Sequence, residues 1–259
     1  MPTPVRIESR SNALLVRVRR LLDDPAAYRK HRQIVIEGEH LCAAWIASGR
    51  GPVLQALLSE AGWERADLRA LAAPAVAVAI IPDAVMAGLA ALESPSAILF
   101  VVPVPPPSPC RAGVPSIVLD RLQDPGNVGS ILRSAAAFGF DQVVALKETA
   151  ALWSPKVVRA GMGAQFRLHL IEVADAAMLS SLGLPLLGTS SHAGERVDAA
   201  DLPWPCAWVF GHEGQGLAAG VQDLCAKVLR IAQPGGEESL NVAAAAAVCL
   251  HESARRRIA

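Results

Sequence analysis

Read for the spacing of its apolar residues, the chain falls into two stretches of alternating strands and helices. In the first, Asn12–Leu22 carries a basic helical pattern, and Ile34–Ile36 forms a short strand running into Glu37-Gly-Glu. A helix follows with Leu41, Ala44 and Trp45 on its apolar face. The runs Ala75–Ile81 and Ala97–Val102 read as strands, with Asp83–Leu92 helical between them, which predicts a small α/β sandwich. The second stretch alternates more regularly. Its strand-like runs are Ser116–Leu119, Gln142–Leu146, Arg167–Ile171, Leu184–Gly188, Ala207–Phe210 and Lys227–Ile231. Helical stretches fall between most of them, at Val128–Phe138, Pro155–Gly161, Ala174–Leu182 and Leu217–Cys225. A last helix, Asn241–Arg257, begins as an alanine run and ends in three arginines, which suit the negative end of a helix dipole. Short apolar strands separated by helices predict a parallel sheet covered on both faces.

Between the two stretches lies Pro103-Val-Pro-Pro-Pro-Ser-Pro-Cys-Arg. Proline donates no backbone hydrogen bond and holds the chain extended, so this run reads as an inter-domain linker. The expected division is residues 1–104, a linker at 105–112, and residues 113–259. Hydrophobic residues make up 52% of the chain and charged residues 19%, enough apolar mass for well-filled cores. With 24 basic and 24 acidic side chains, no global positive field points to a nucleic-acid partner. The distribution is uneven, however. Between Met1 and Arg32 there are eight basic residues (Arg6, Arg10, Arg17, Arg19, Arg20, Arg29, Lys30 and Arg32) against Glu8, Asp23 and Asp24. Such a patch suits a phosphate backbone, and it equally suits a solvated helix face. Cys42, Cys110, Cys206, Cys225 and Cys249 are odd in number and form no Cys-x-x-Cys pair, so reduced thiols are expected, with neither a disulfide framework nor a metal site. No signal-peptide pattern opens the chain, and its longest apolar runs fall well short of the roughly 18 residues a membrane span needs. The expectation is a cytoplasmic protein with no membrane partner.

Three polar, glycine-containing segments each follow a predicted strand, where open α/β sheets place their ligands. The first contains Asp124-Pro-Gly-Asn-Val-Gly-Ser-Ile-Leu-Arg. There Asp124-Pro-Gly-Asn makes a turn and Asn127 is placed to cap a helix starting at Val128. Arg133 lies in the second turn of that helix among Ile131, Leu132, Ala135 and Ala136, either aimed at a ligand or held in a surface ion pair. The second is Gly211-His-Glu-Gly-Gln-Gly-Leu, whose glycines let the backbone turn tightly and approach a flat ligand, with Glu213 inside the turn. The third, Ile231-Ala-Gln-Pro-Gly-Gly-Glu-Glu-Ser-Leu-Asn, brings Ser239 and Asn241 to the start of the last helix, where either could serve as its cap or face a ligand. The chain lacks a P-loop and the Gly-x-Gly-x-x-Gly order of a dinucleotide fold, which argues against a nucleotide-cofactor oxidoreductase. His192 and His212 have no suitably spaced partners for a metal and read as loop residues.

Taken together, these segments resemble the three signature motifs of the SpoU-type (TrmH-like) RNA 2′-O-ribose methyltransferases of the SPOUT superfamily. The matching residues are Asn127 and Arg133, then Glu213, then Ser239 and Asn241, in that order. The likeness runs from about Val114 to the C-terminus. The first part resembles the L30e-like substrate-binding domain that precedes this catalytic domain in many members, through Ser9-Arg-Ser-Asn-Ala-Leu, the basic helix and Ile34-Val-Ile-Glu-Gly-Glu. One departure is Ile231-Ala-Gln, where many members have Ile-Pro-Met.

The resemblance implies a parallel sheet with a trefoil knot, a homodimer, and S-adenosylmethionine held by Thr189, Gly211, Ile231 and Leu240. It implies RNA contacts from Arg10, Asn12, Arg17, Arg19, Arg20, Arg29, Lys30 and Arg32, and favours ribosomal over transfer RNA. It also assigns Arg133 to the 2′-hydroxyl. Arginine stays protonated, with a pKa above about 12, so that role is better met by holding a phosphate and stabilising the forming alkoxide than by removing a proton. Glu213 is then expected to orient the guanidinium, with Asn127, Ser239 and Asn241 fixing the ribose and the loop. Two other readings fit the same motifs: a transfer-RNA or base-methylating relative, and a non-catalytic RNA-binding or ribosome-assembly factor.

Overall fold

The computed structural model describes residues 2–89, 96–236 and 239–258. By packing, the chain forms two units: Met1–Pro106 together with Trp153–Phe166, and Pro107–Leu152 together with Arg167–Ala259.

Up to the proline-rich run the order is β1 (Val5–Arg6), α1 (Ala13–Asp23), α2 (Ala27–His31), β2 (Gln33–Glu37), α3 (Glu39–Ser48), β3 (Gln55–Ser59), α4 (Glu60–Glu64), α5 (Ala66–Ala72), β4 (Ala77–Ile81), α6 (Asp83–Ala87) and β5 (Ile98–Pro103). The sheet order is β1-β4-β3-β5-β2, with β5 antiparallel to both of its neighbours. Helix α1 starts where the Asn12 side chain accepts the Leu14 N–H at 2.9 Å, an N-cap. Its buried stripe of Leu15, Val18 and Leu21 packs in one core with Val35, Leu57, Ala79, Leu99 and Val101. Periodicity does not signal β3, α4 or α5: β3 is five residues long, and its signal is lost among the helix-forming alanines and leucines around it. The helix expected over Asp83–Leu92 ends at Ala87 before Gly88, and residues 90–92 of that expectation lie outside the described residues.

From the proline-rich run onward come β6 (Ser116–Leu119), α7 (Pro125–Ala137), β7 (Gln142–Leu146), α8 (Pro155–Ala160), β8 (His169–Ala174), β9 (Leu186–Thr189), β10 (Glu195–Arg196), β11 (Ala207–Phe210), α9 (Ala219–Gln222), β12 (Lys227–Arg230) and α10 (Val242–Ile258). All seven strands run parallel in the order β10-β12-β9-β11-β6-β7-β8. The class is α/β with a parallel sheet, as the alternation predicts. Two expected helices are shorter or of another kind. Ala176–Leu182 winds as a 3₁₀ turn, and the stretch expected over Leu217–Cys225 is helical only at Ala219–Gln222, where Gly220 weakens it. Strand β8 starts later than expected and carries a bulge, with Val173 at φ 58° as the register with β7 shifts.

The end of the proline-rich run is tied to the second unit. The Gln142 side chain accepts the Arg111 N–H at 2.8 Å, and His169 Nε2 lies 2.9 Å from the Pro109 carbonyl. Helix α10 packs on α7 and β11. It is anchored by a buried bond from Trp208 Nε1 to Ser253 Oγ (2.9 Å), by Arg257 stacked over Trp204 (4.0 Å) and by Arg256 donating to the Val197 and Asp198 carbonyls. The terminal arginines therefore do more than face a helix dipole. Both Arg255 and Arg256 pair with Glu252, whose pKa falls to about 2, chiefly through the hydrogen bond from Arg255.

Candidate functional site

The polar segments gather at the C-terminal ends of the central strands of the second unit. Parallel registers place the ends of β6, β11, β9 and β12 side by side, so Thr189, which ends β9, lies beside Asp120, Gly211 and Ile231, which follow β6, β11 and β12. Here a parallel sheet leaves backbone groups and helix N-termini open to a ligand.

Helix α7 begins one turn earlier than the sequence suggests. Asp124, not Asn127, is its N-cap: Asp124 Oδ1 accepts the Asn127 N–H at 2.8 Å, and Pro125 occupies the first helical position, where its missing N–H costs nothing. The correction has a consequence for the site. With its side chain free of capping, Asn127 donates through Nδ2 to Glu213 Oε1 (3.2 Å) and accepts through Oδ1 from Asn241 Nδ2 (3.0 Å). Asn241 is itself the cap of α10, since its Oδ1 accepts the N–H groups of Ala243 (2.9 Å) and Ala244 (3.3 Å). One chain of side-chain bonds, Glu213–Asn127–Asn241, thus joins all three segments.

Glu213 does not orient Arg133. Its Oε1 accepts the Asp124 N–H (3.3 Å) and its Oε2 the Gln123 N–H (3.4 Å), so it anchors the turn in front of α7. Partial burial raises its pKa, but the bonds from its own backbone, Asn127, Asp124 and Gln123 outweigh that and hold the carboxyl below its ordinary value. Arg133 lies on the exposed stripe of α7 with Gly126, Ser130 and Ala137, small neighbours that leave the guanidinium open to an incoming anion. Among the described residues it has no hydrogen bond or ion pair. Ser239 is exposed two residues before the α10 cap, which is Asn241 alone.

Of the residues expected at the cofactor, Thr189 donates its hydroxyl to the Val209 carbonyl (3.0 Å), pinning the end of β9 to β11. Gly211 is buried, and a Cβ there would fall into the backbone of Gly216 and Leu217, so only glycine fits. Ile231 is half-buried, and Leu240 exposes 42% of its surface beside the α10 cap. His212 shapes the turn, its Nδ1 accepting the N–H groups of Gly214 (3.0 Å) and Gln215 (3.3 Å). Among the described residues no cluster of three metal-ligating side chains occurs. Burial pushes the Cys206 and Cys249 thiols up to about 12, so neither is a nucleophile near neutral pH.

Sequence reasoning missed Asp120 and Arg121. Buried Asp120 accepts the Ala218 N–H (2.7 Å) and pairs with Arg121 (3.1 Å), which reaches the Gln215 side chain (3.0 Å) and the Gly216 carbonyl (3.2 Å). No spacing rule relates positions more than ninety residues apart, so this link had no sequence signal.

In the first unit, Asn12 caps α1, with Arg17, Arg19 and Arg20 along that helix and Arg10 exposed before it. Arg29 and Lys30 lie exposed on α2, with Arg29 over the Tyr28 ring (5.5 Å), and Arg32 ends that helix at φ 53°. Among the described residues, Arg10, Arg17, Arg19, Arg20, Lys30 and Arg32 are in no ion pair.

Comparison with known proteins agrees with this geometry. The profile of the SpoU rRNA Methylase family matches residues 115–251. An uncharacterized tRNA/rRNA methyltransferase of Synechocystis is 32% identical over 263 residues, 97% of this chain and 94% of its own. The 23S rRNA (guanosine-2′-O-)-methyltransferase RlmB of Bordetella pertussis is 37% identical over 145 residues, 54% of this chain and 59% of its own. The crystal structure of the SpoU methyltransferase AviRb from Streptomyces viridochromogenes, in complex with AdoMet, superposes with a TM-score of 0.87 at 26% identity, covering 96% of this chain and 99% of that one.

Proposed function

The chain belongs to the SpoU rRNA methylase family, and from that premise we propose that it transfers a methyl group from S-adenosylmethionine to a ribose 2′-hydroxyl of ribosomal RNA. The observation that carries this reading is the Glu213–Asn127–Asn241 chain of bonds, which unites the three motifs at the C-terminal strand edge.

The residues present fit the cofactor. Half-buried Ile231 and part-exposed Leu240 offer apolar surface for a flat ring, and Gly211 keeps the backbone bare of side chain. In the loop between Ile231 and Asn241, Gln233 Oε1 is buried without a partner among the described residues, an acceptor that an amino group would satisfy. Thr189, Gly211, Ile231 and Leu240 would hold the molecule. Bound there, S-adenosylmethionine supplies an activated methyl on a sulfonium, whose thioether leaves uncharged and needs no acid.

The protein's own task is to place the acceptor oxygen and ease the loss of its proton. Arg133, in no ion pair among the described residues, holds the phosphate beside the target ribose and faces the charge that develops on the 2′-oxygen. Its planar fork suits both jobs, whereas a guanidinium, which keeps its proton in proteins, does not serve as a base. Glu213 and Asn127 fix the turn from which α7 projects Arg133, and Asn241 ties that turn to α10. Ser239, exposed at the same edge, contacts the ribose.

Residues 1–104 form the RNA-capturing domain in this reading, residues 105–112 the linker, and residues 113–259 the catalytic domain. The RNA contacts come from Arg10, Asn12, Arg17, Arg19, Arg20, Arg29, Lys30 and Arg32. Among the described residues Arg10, Arg17, Arg19, Arg20, Lys30 and Arg32 are in no ion pair, which supports this, since those cations remain available to a phosphate. The protein works in the cytoplasm as a homodimer, with the segment after β12 threaded as the family's trefoil knot. The test is methylation of ribosomal and transfer RNA lacking modifications, followed by digestion to nucleosides. A 2′-O-methyl nucleoside from the ribosomal fraction is expected. A base-methylated nucleoside, or label confined to transfer RNA, overturns the assignment.

A further inference from the structure

Two loops meet at the strand edge, one following β6 and one following β11, and they are laced in both directions. From the β11 loop, Glu213 reaches back to Gln123, Asp124 and Asn127. From the β6 loop, Arg121 reaches forward: Nη1 donates to Gln215 Oε1 (3.0 Å) and Nη2 to the Gly216 carbonyl (3.2 Å). The guanidinium is aimed by Asp120, whose side chain is 3% exposed and whose Oδ1 accepts Arg121 Nε at 3.1 Å. Through Oδ2, Asp120 also holds the Ala218 N–H at 2.7 Å, so the β11 loop is gripped at both shoulders by adjacent residues. Arg121 does this from φ 60°, a left-handed conformation that a side chain adopts only at a cost. A residue held there by its surroundings marks a site where geometry outranks local preference. Thr149 Oγ1 fixes it further by accepting the Arg121 N–H (3.1 Å).

Resting on the methyltransferase reading above, we infer that Arg121 is a positioning residue: it locks the Gly211–Ala218 cofactor loop to the loop that launches α7, so the methyl donor's seat and Arg133 are held in one frame. The planar fork matters, because two acceptors on the β11 loop and a carboxylate behind are satisfied at once. Without it, the bonds from the β11 loop to the β6 loop among the described residues are those of Glu213 and of the Ala218 N–H.

Arg121→Gly is the decisive variant, since glycine adopts the φ 60° conformation at this position without strain, which offsets part of the cost of leaving buried Asp120 without its guanidinium. Amide hydrogen exchange on the full chain without cofactor, and calorimetric binding of S-adenosylhomocysteine, give the two readouts. The expected result is faster exchange at residues 211–218, binding weakened roughly tenfold, and KM for S-adenosylmethionine raised by a similar factor with kcat within about threefold. Arg121→Lys should not rescue it. Unchanged exchange in Arg121→Gly overturns the lock, as does equal loss of kcat and KM performance in both variants with unaltered binding. Failure of the wild-type chain to bind S-adenosylhomocysteine would instead sink the cofactor assignment, and the exchange comparison, which needs no cofactor, still decides the role of Arg121.

Discussion

At the scale of single residues, the site depends on which polar atoms are already committed and which are free. Glu213 is committed: its carboxylate takes two donors from the turn before α7 and a third from Asn127 in the first turn of α7, and that commitment holds its pKa down. A carboxyl whose folded pKa lies below its unfolded value contributes stability above the ordinary value of about 4.3 and loses it as pH falls through the lowered one. Acidification through that range should therefore weaken S-adenosylhomocysteine binding. Glu213→Gln, which cannot accept all three bonds, should bind weakly already at neutral pH and lack the acid-induced loss; a variant with the wild-type pH profile would show that another group controls it. Arg133 is free among the described residues, and its value lies in its fork. Arg133→Lys should lose most of kcat, on the order of 10²-fold, while leaving cofactor affinity unchanged. Near-normal turnover in that variant would remove Arg133 from the reacting centre. Much of this was legible beforehand, because a conspicuously polar residue such as Asn127, Glu213 or Asn241 after an apolar strand stands out. What the sequence hid was the division of labour. Asp124-Pro-Gly-Asn fits both a turn and the first turn of a helix, and only the fold shows Asp124 capping and Asn127 released. Arg121 carried no signal at all.

At the scale of elements, the strands buried on both faces were the easiest to read. For β6, β7 and β11 the expected and observed limits coincide, since each is a short, mostly apolar run with every residue buried, headed by Ser116 in β6 and Gln142 in β7. The two-residue strands β1 and β10 have no period to detect, and the 3₁₀ turn at Ala176–Leu182 presents the same apolar spacing as an α-helix. Helix α10 matters most to function, because its N-cap is Asn241 and its register decides where that side chain falls. The buried Trp208–Ser253 bond sets that register. Ser253→Ala would leave the indole N–H buried without an acceptor, at a cost of about 1–3 kcal/mol. The melting temperature should fall by roughly 3–10 °C. An unchanged melting curve would mean that the Arg256 and Arg257 contacts alone fix the helix.

At the scale of the whole molecule, the chain does not divide where its proline-rich run suggests and nowhere else. Trp153–Phe166 lies inside the stretch matched by the family profile, yet packs in one unit with Met1–Pro106. Within that unit Arg159 meets Glu37 at 3.3 Å, and the Glu37 side chain is 6% exposed with Oε1 buried and unpaired among the described residues. Trp45 packs edge-on against Phe166 at 5.2 Å beside them. Burial raises the Glu37 pKa, and Arg159 offsets only part of the rise. A carboxyl raised in the folded state favours its protonated form, so stability declines as pH rises from the ordinary value through the raised one. Arg159→Met should deepen that decline and carry it to higher pH, costing up to about 3–5 kcal/mol at neutral pH, read by denaturant melts across pH. A pH-independent difference between the two proteins would show that the pair is electrostatically idle. The central claim, ribose methylation of RNA, is tested most directly by transfer of labelled methyl from S-adenosylmethionine to total RNA lacking its modifications, comparing the wild-type chain with Arg133→Ala. The account predicts label in a single alkali-resistant dinucleotide of ribosomal RNA, lost in the variant although S-adenosylmethionine still binds; label in alkali-sensitive nucleotides, or undiminished transfer by Arg133→Ala, would contradict it.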